Sequence, residues 1–488
     1  MRIPIERKYV KVYPDPKRVI ARFFFNGDER GKDVITKVLT LSNEQVFGII
    51  SPLLQEYSKR HRNITKILLR HCKKLKTLFS SMDIDYREIE EHRRLLIGSY
   101  FTHEYSIESA AFFNPSIIED PDQSDLEDGQ KRLIISFRAV GEGHISSIIF
   151  RRALIDRHNN ITVIPAGDYI DEAEIIRNAT YNKKLFLEKG LMSLIDKDVL
   201  DKLNAKLDDQ FDYATLKKII GEAQALEQDP EKDVEFEKVL WLSDSYYEIV
   251  FSMDTDISDR VIFPISEFER KGIEDARFTK FTHDDGTSAY YATYTAYDGH
   301  IIIPKLLKTK DFYDFTIGPL FGKGAQNKNL ALFPRKINGK YAMLSRIDGI
   351  NNYIMYSDKI NIWENPILLQ EPKYSWEFVQ IGNCGSPIET EKGWLVITHA
   401  VGPMRRYCLS ACLLDLNDPT IEIGRLNEPL LTPNPDEREG YVPNVVYSCG
   451  SIINNGQLVI PYGLSDYSSS FATVDLNELL DRIIANGN

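Results

Sequence analysis

The sequence predicts an all-β fold, a five-bladed β-propeller with an N-terminal helical extension and a helical insertion. One pattern carries this. Two strands separated by a short polar or glycine-containing break recur five times: KRLIISFRAV/ISSIIFRRALID from Lys131, SAYYATYTAYD/HIIIPKLLKTKD from Ser288, KYAMLSRID/NNYIMYSDKI from Lys340, WLVITHAV/RRYCLSACLLDL from Trp394 and QLVIPYGLSD/SSSFATVDLNELL from Gln457. The last four begin 52, 54 and 63 residues apart, and near-constant spacing suggests radial repetition. A two-sheet sandwich is the competing arrangement. The longer gap between the first two starts holds the insertion, roughly 168–236.

The first hundred residues read as helices. Ser42-Asn43-Glu44-Gln45 matches a capping box opening VFGIISPLLQEY, which Pro52 is expected to kink or break. ITKILLRHCKKLKTLF sets Ile64, Ile67, Leu68, Cys72, Leu75 and Phe79 on one stripe. Asp85 to Glu88 is a second capping-box candidate, and Gly98 a plausible stop. The basic run from Arg60 to Lys76 has no interleaved aromatic residues to stack bases, so it reads as a solvated face or subunit contact. In the insertion, DEAEIIRNATYNKKLFLEKG, DVLDKLNAKL and YATLKKIIGEAQALEQ read as helices beside the propeller, covering a site rim or making a subunit interface. The chain thus divides into an extension, 1–104, and a propeller domain, 105–488, with association into a homo-oligomer expected through the helical segments.

Bulk composition narrows the partners. A net charge of −12 over 488 residues argues against nucleic-acid or anionic-membrane binding, because both need a cationic face. MRIPIERKYVKVYP has no signal-type apolar run, and no stretch is long enough to span a bilayer, so a cytoplasmic location is expected. The five cysteines are scattered and odd in number, which argues against a disulfide framework, and Cys408 and Cys412, on one face of an apolar strand, read as buried thiols. GKGAQNKN at 322–329 lacks the spacing of a phosphate-binding loop, and HExxH, GxSxG and GxGxxG are missing. No metal and no resident cofactor are expected.

What remains is a set of polar groups ending the first strand of each pair: Arg138, the Tyr294–Asp298 segment, Arg346, His399 and Asp466. In a propeller, equivalent positions meet at one mouth. Arginines, a histidine and acids around one funnel suit a polyhydroxyl or phosphate ligand better than an apolar one.

GIEDAR at 272–277 resembles the GxEDPR signature of glycoside hydrolase family 130, the β-mannoside phosphorylases and β-mannosidases. The likeness extends through FNPSII with ISFRAVG, YTAYDG, NKNLALFPRKINGKYAMLSR, IGNCGSPIETEKGWLVITHAV, EREGYVPNVVYSCG and YGLSD with FATVDL. It covers about residues 110–480 apart from the insertion, and the family's fold is a five-bladed propeller. The resemblance implies Asp275 as catalytic acid, acting through a hydroxyl of the bound sugar. Asn114, Glu274, Arg277, Arg138, Tyr294, Asp298 and Asp466 are expected around the sugar. Lys328, Arg346, position 380 and His399 are expected around phosphate, with Gln380 where the family has lysine and Ala276 where it has proline. Inorganic phosphate is then a co-substrate. The implied activity is inverting phosphorolysis of β-linked manno-oligosaccharides to mannose 1-phosphate, because an anionic nucleophile needs cations and no protein base. The alternatives are an inverting exo-β-mannosidase, with Glu377, Glu389 or Glu437 available as base, and a non-catalytic carbohydrate-binding propeller. A raised pKa is expected for Asp275, from burial and Glu274, offset by Arg277.

Overall fold

All five hairpins form as antiparallel pairs: Lys131–Val140 with Ser146–Ile155, Ser288–Tyr297 with Ile302–Thr309, Tyr341–Arg346 with Asn352–Ser357, Gly393–Gly402 with Arg406–Leu414, and Gln457–Leu464 with Ser468–Asp475. The computed structural model describes residues 3–176, 181–188, 195–226 and 229–487. Each hairpin is the middle of a larger antiparallel unit. A leading strand pairs with its first strand: Ala111–Glu119, Gly272–Thr282, Lys328–Leu332, Gln380–Asn383 and Val446–Tyr447 in units one to five. A closing strand covers its second: Ile161–Val163, Asp314–Pro319, Ile367–Gln370 and Glu422–Arg425. In the fifth unit the closing strand is Glu6–Val12, from the other end of the chain.

Side-chain alternation gives each unit two apolar faces, and neighbouring units bury them together. Phe150 of unit one packs with Phe278 and Ala292 of unit two. Tyr291 meets Leu332 and Met343 of unit three, and Leu344 meets Trp394 and Val396 of unit four. Leu395 and Leu409 pack on Leu458 and Ile460 of unit five, whose Val459 and Phe471 pack on Ile135 and Phe137 of unit one. Burying each large apolar side chain contributes about 1.5–3 kcal/mol, so these five interfaces are a major source of the fold's stability. One parallel bridge, Gly272 to Ser146, also joins units one and two into a continuous sheet. A Cβ at Gly272 (φ 124°) would lie 2.4 Å from the Ser146 hydroxyl, so glycine is required there.

Residues 3–106 hold strands Glu6–Val12, Val19–Phe23 and Thr102–Ser106, the last crossing the expected boundary at 104, and helices Asp28–Thr40, Asn43–Tyr57, Ile64–Lys74, Lys76–Ser80 and Glu91–Tyr100. Ser42 and Gln45 form the reciprocal capping box. The second helix continues through Pro52, held by Val46, Ile50, Leu53 and Leu54 packing on either side of it. Nor is Gly98 a stop. It lies inside its helix, where a Cβ would come within 2.0 Å of the Leu68 carbonyl oxygen, so its role is close helix–helix approach. The basic run is solvated, with Lys66 71% exposed, and is also ion-paired: Arg60 and His61 with Glu104, Arg62 with Asp254, Lys66 with Glu174, and Arg70 with Glu172. These pairs link the helices to carboxylates on strands and, at Asp254, on a turn.

The insertion contains helices Lys183–Glu188, Lys197–Lys206, Tyr213–Leu226 and Pro230–Asp244, with a core of its own around Leu203, Leu216, Ile220 and Phe236. Its start departs from expectation: Asp171–Glu172 and Glu174–Ile176 are strands, because free sheet edges at Arg260–Ile262 and Tyr247–Val250 pair with them. The parts of the expected helices at 177–180, 189–190 and 227–228 lie outside the described residues. The chain ends in a helix, Leu476–Ala485, where the sequence reading continued the strand; Asp475 caps it through the Glu478 amide. No helix among the described residues is long and apolar enough to cross a membrane.

The Gly98 contact is directly testable. Gly98→Ala should lower stability by about 1–3 kcal/mol, the usual cost of overpacking, read as a lower midpoint in chemical denaturation. An unchanged midpoint would show that the two helices can separate freely.

Candidate functional site

One backbone device recurs in the leading strands of units one, two and three. Register slips between Phe113 and Ser116, between Glu274 and Arg277, and between Lys328 and Ala331. In each slip the second residue is left-handed: Asn114 at φ 49°, Asp275 at 54° and Asn329 at 68°. Asn and Asp are the side-chain-bearing residues that tolerate this conformation best. Each bulge interrupts strand alternation and re-aims a polar side chain. Asn114, Asp275 and Asn329 line one cavity of about 450 Å³, together with Arg138, Glu274, Asn327, Lys328, Arg346, Gln380, His399, Arg405, Tyr407, Tyr447 and Asp466.

The acids are gripped from several sides. Asn114 Nδ2 donates to Asp275 Oδ1 at 2.7 Å, and Arg138 lies 4.0 Å from the same oxygen. Glu274 is clamped between Arg138 (2.8 Å) and Lys328 (2.6 Å). Arg277, only 2% exposed, backs the cavity, donating to the Asp275 carbonyl (2.8 Å) and to the Tyr447 hydroxyl (2.7 Å). Tyr447 also accepts from Asn329, whose amide bonds the Asn383 carbonyl while Asn383 bonds back to the Asn329 carbonyl. Units two to five are thereby cross-linked around the acid.

The second polar group is Arg346, whose Nη1 lies 3.0 Å from His399 Nε2. His399 Nδ1 faces the Asn383 carbonyl at 3.2 Å, so its proton belongs there and Nε2 is the acceptor for arginine. Burial, with Arg346 and Arg277 beside it, holds the imidazole well below its usual pKa, so His399 is neutral rather than one of the expected cations. Arg346 itself is 8% exposed, makes no ion pair among the described residues, and has a buried Nε with no protein partner. A guanidinium stays charged under these conditions. The result is a nearly buried cation that no described carboxylate contacts, with Asp275 acting on it only at longer range.

Asp275 departs from expectation. Burial raises its pKa, but Arg138, Arg277, the Asn114 hydrogen bond and Lys328 outweigh that and hold it below the ordinary aspartate range. Cations around it outnumber the single neighbouring glutamate. Asp466 is the carboxyl with the raised value: burial pushes it up to about 6, against the pull of Arg138.

Of the residues singled out from sequence, Asn114, Arg138, Glu274, Asp275, Lys328, Arg346, Gln380, His399 and Asp466 meet at the cavity, with Arg277 behind it. Tyr294 and Asp298 do not. Tyr294 is buried on the other side of its strand, donating to Glu269, which also pairs with fully buried Lys305. Asp298 accepts from the His300 and Ile301 amides and shapes a turn. Register explains the miss: the position matching Arg138 (opposite Phe113) and Arg346 (opposite Lys328) is Thr295, opposite Glu274. Glu377, Glu389 and Glu437 are also elsewhere, engaged by the Lys373 and Tyr374 amides, by Arg335 and by Arg7. Asn327, Asn329, Arg405, Tyr407 and Tyr447 escaped sequence reading. The Asn-Lys-Asn run at 327–329 held a usable signal, since asparagine beside a strand start is a left-handed candidate. Among the described residues no group of three or more His, Cys, Asp or Glu could hold a metal.

A family profile described as beta-1,4-mannooligosaccharide phosphorylase matches residues 241–484, half of the chain. The chain belongs to glycoside hydrolase family 130. The match takes in units two to five and so includes Glu274, Asp275, Arg346, His399 and Asp466. Over 226 residues the chain is 37% identical to a 1,2-beta-oligomannan phosphorylase from Thermoanaerobacter sp., covering 44% of this chain and 72% of that protein. It is 33% identical over 230 residues to a beta-1,2-mannobiose phosphorylase from Listeria innocua, covering 46% and 63%. A solved Listeria innocua beta-1,2-mannobiose phosphorylase in complex with beta-1,2-mannobiose aligns with a TM-score of 0.45 at 22% identity, covering 78% of this chain and 93% of that one.

Asp466 gives a stability prediction with a definite sign. A carboxyl whose folded pKa is raised binds its proton more tightly folded than unfolded, so stability falls as pH rises from the unfolded value through about 6 and stays reduced above it. Asp466→Asn, which keeps a residue tolerant of the left-handed turn, should therefore stabilise the protein by about 1–2 kcal/mol near neutral pH and not in acid. Denaturation midpoints at both pH values check it; equal shifts at the two would remove Asp466 as the source.

Proposed function

We propose that this protein is an inverting β-mannoside phosphorylase that cleaves β-linked manno-oligosaccharides with inorganic phosphate to give mannose 1-phosphate. The observation that carries the reading is Arg346, a nearly buried guanidinium that makes no ion pair among the described residues, in the cavity that holds Asp275. A cation so placed suits an anionic ligand, and phosphate takes paired N–H donors well. Neutral His399 orients it. The names of the relatives at 33–37% identity fit this chemistry, and β-1,2-linked mannosides are the first substrates to try. The five units are read as blades of a five-bladed propeller, a reading supported by the apolar cluster between each neighbouring pair, including the fifth with the first.

In this mechanism Asn114, Arg138 and Asp466 hold the sugar beside Asp275. A phosphate oxygen held by Arg346, with Lys328 and Gln380 at the same cavity, attacks the anomeric carbon. The bond to the glycosidic oxygen breaks, and that oxygen takes its proton from Asp275 through a sugar hydroxyl. The nucleophile is already anionic, so no base is needed. This agrees with the positions of Glu377, Glu389 and Glu437 away from the cavity, and it disfavours the mannosidase alternative.

The low pKa of Asp275 then acquires a role in the order of events. Asp275 is ionised in the resting site. Entry of a di-anion cancels part of the cationic field that depresses it, raising its pKa toward the protonated form that donation requires. Charge balance couples arrival of the nucleophile to arming of the acid.

Assays of β-mannobioses with and without phosphate should yield mannose 1-phosphate only with phosphate; free mannose at the same rate without it would establish a mannosidase instead. Asp275→Asn should reduce kcat by about 10²–10⁴-fold, and Arg346→Gln should raise the KM for phosphate about 10- to 100-fold. Wild-type kinetics in either variant would remove that residue from its role. Separately, titration calorimetry in buffers of differing ionisation enthalpy, at about pH 8 where phosphate is largely dianionic, should record net proton uptake on phosphate binding. Asp275→Asn should abolish that uptake, and persistence would assign it to another group.

A further inference from the structure

Arg7 lies in the N-terminal strand, outside the region matched by the family profile. Its guanidinium reaches across the fifth unit to a loop that ends at the cavity. Nε donates to Glu437 Oε1 at 2.9 Å, and Nη2 donates to the Thr432 carbonyl at 2.7 Å. Glu437 is 6% exposed and fully engaged: it also accepts from the Tyr462 hydroxyl (2.8 Å) and from the Asn434 amide (3.0 Å). The Glu437 carbonyl accepts from the Ser465 hydroxyl at 2.6 Å. Ser465 is further held by its amide to the Val445 carbonyl (2.9 Å) and by the Val442 amide to its own carbonyl (3.1 Å). A Cβ on Gly440 would come within 2.2 Å of that carbonyl, so the loop packs directly on the turn.

The next residue is Asp466. Ser465 and Asp466 are both left-handed, at φ 50° and 52°, in the tight turn that closes the fifth hairpin. Such a turn persists where its surroundings hold it, and here the surroundings are residues 432–447, whose Val442, Val445 and Tyr447 also line the cavity. Arg7 is the grip on this loop from the N-terminal strand.

We propose that Arg7 is a positioning residue for sugar binding: by anchoring Glu437 and Thr432 it sets the Ser465–Asp466 turn and the adjoining cavity wall, so the N-terminal strand completes the sugar side of the site. This rests on the phosphorylase reading only in taking Asp466 as a sugar contact. Arg7 touches neither Asp275 nor Arg346, so its loss weakens ground-state and transition-state sugar binding together, which raises KM and leaves kcat.

Arg7→Met keeps the aliphatic stem and removes the fork. It should raise the KM for the β-mannoside about tenfold while the KM for phosphate and kcat stay within about twofold, and Arg7→Lys should recover most of the loss. Equal changes in both KM values and kcat, or no change in any, would overturn the proposal. Hydrogen–deuterium exchange makes the test independent of activity: Arg7→Met should speed exchange in 432–447 and 465–466 while the unit-one strands keep wild-type rates. Wild-type exchange in those segments would overturn the proposal even if phosphorolysis is established. Faster exchange there with no phosphate-dependent turnover in the wild type would uphold the anchoring and defeat only the reading of the reaction.

Discussion

The site depends on one backbone constraint, the left-handed bulge that recurs at Asn114, Asp275 and Asn329. A regular strand sends alternate side chains into the two apolar interfaces beside it, and those interfaces hold the units together. A polar group cannot leave that alternation unless the backbone breaks it. Each bulge does so once, at the cavity, using a residue type that occupies the conformation at least cost. Function and packing thus share one strand without competing for the same positions. Asp275 is held by its backbone before any hydrogen bond forms, and Asn114 meets it at 2.7 Å because the same device is used in the next unit.

Strand order was legible because its signal is short-range. Alternation and turn residues marked the five hairpins, and their spacing marked repetition. The leading strands, where Asp275 and Asn114 reside, were harder to see, because a bulge erases alternation where chemistry is placed. Tyr294 and Asp298 show the consequence: without the slip at Glu274, nothing in the 294–298 segment singles out Thr295 as the position matching Arg138. Gly98 and residues 171–176 failed for a different reason. Both turn on a distant partner, the Leu68 carbonyl in one case and open sheet edges in the other. Local sequence carries no trace of either.

The charge balance of the cavity was beyond sequence as well. The family resemblance implies His399 as one of the cations, and burial with a neighbouring glutamate, offset by Arg277, points to a raised pKa for Asp275. Geometry reverses both. His399 accepts from one cation and lies near another, so protonating it would place like charges together in a buried site. Asp275 faces two guanidinium groups and a lysine, while Glu274 spends its charge on two of those three. The resting cavity therefore keeps Arg346 as a cation that no described carboxylate contacts, with Asp275 acting on it only at longer range.

This arrangement explains why the fifth unit is built from both ends of the chain. A cavity with a nearly buried cation that no described carboxylate contacts, a half-buried carboxyl of raised pKa at Asp466 and several left-handed residues is destabilising in itself, and the surrounding units must hold it. Four units close with a strand that follows in sequence. The fifth takes Glu6–Val12, which ties the start of the chain to its last hairpin and adds the Arg7–Glu437–Tyr462 network under the loop facing the acid. Separating the units would break that pairing together with the apolar cluster between units five and one. The electrostatic cost of the site is thus borne by contacts far apart in sequence, and the N-terminal strand belongs to the site's support as much as to the fold.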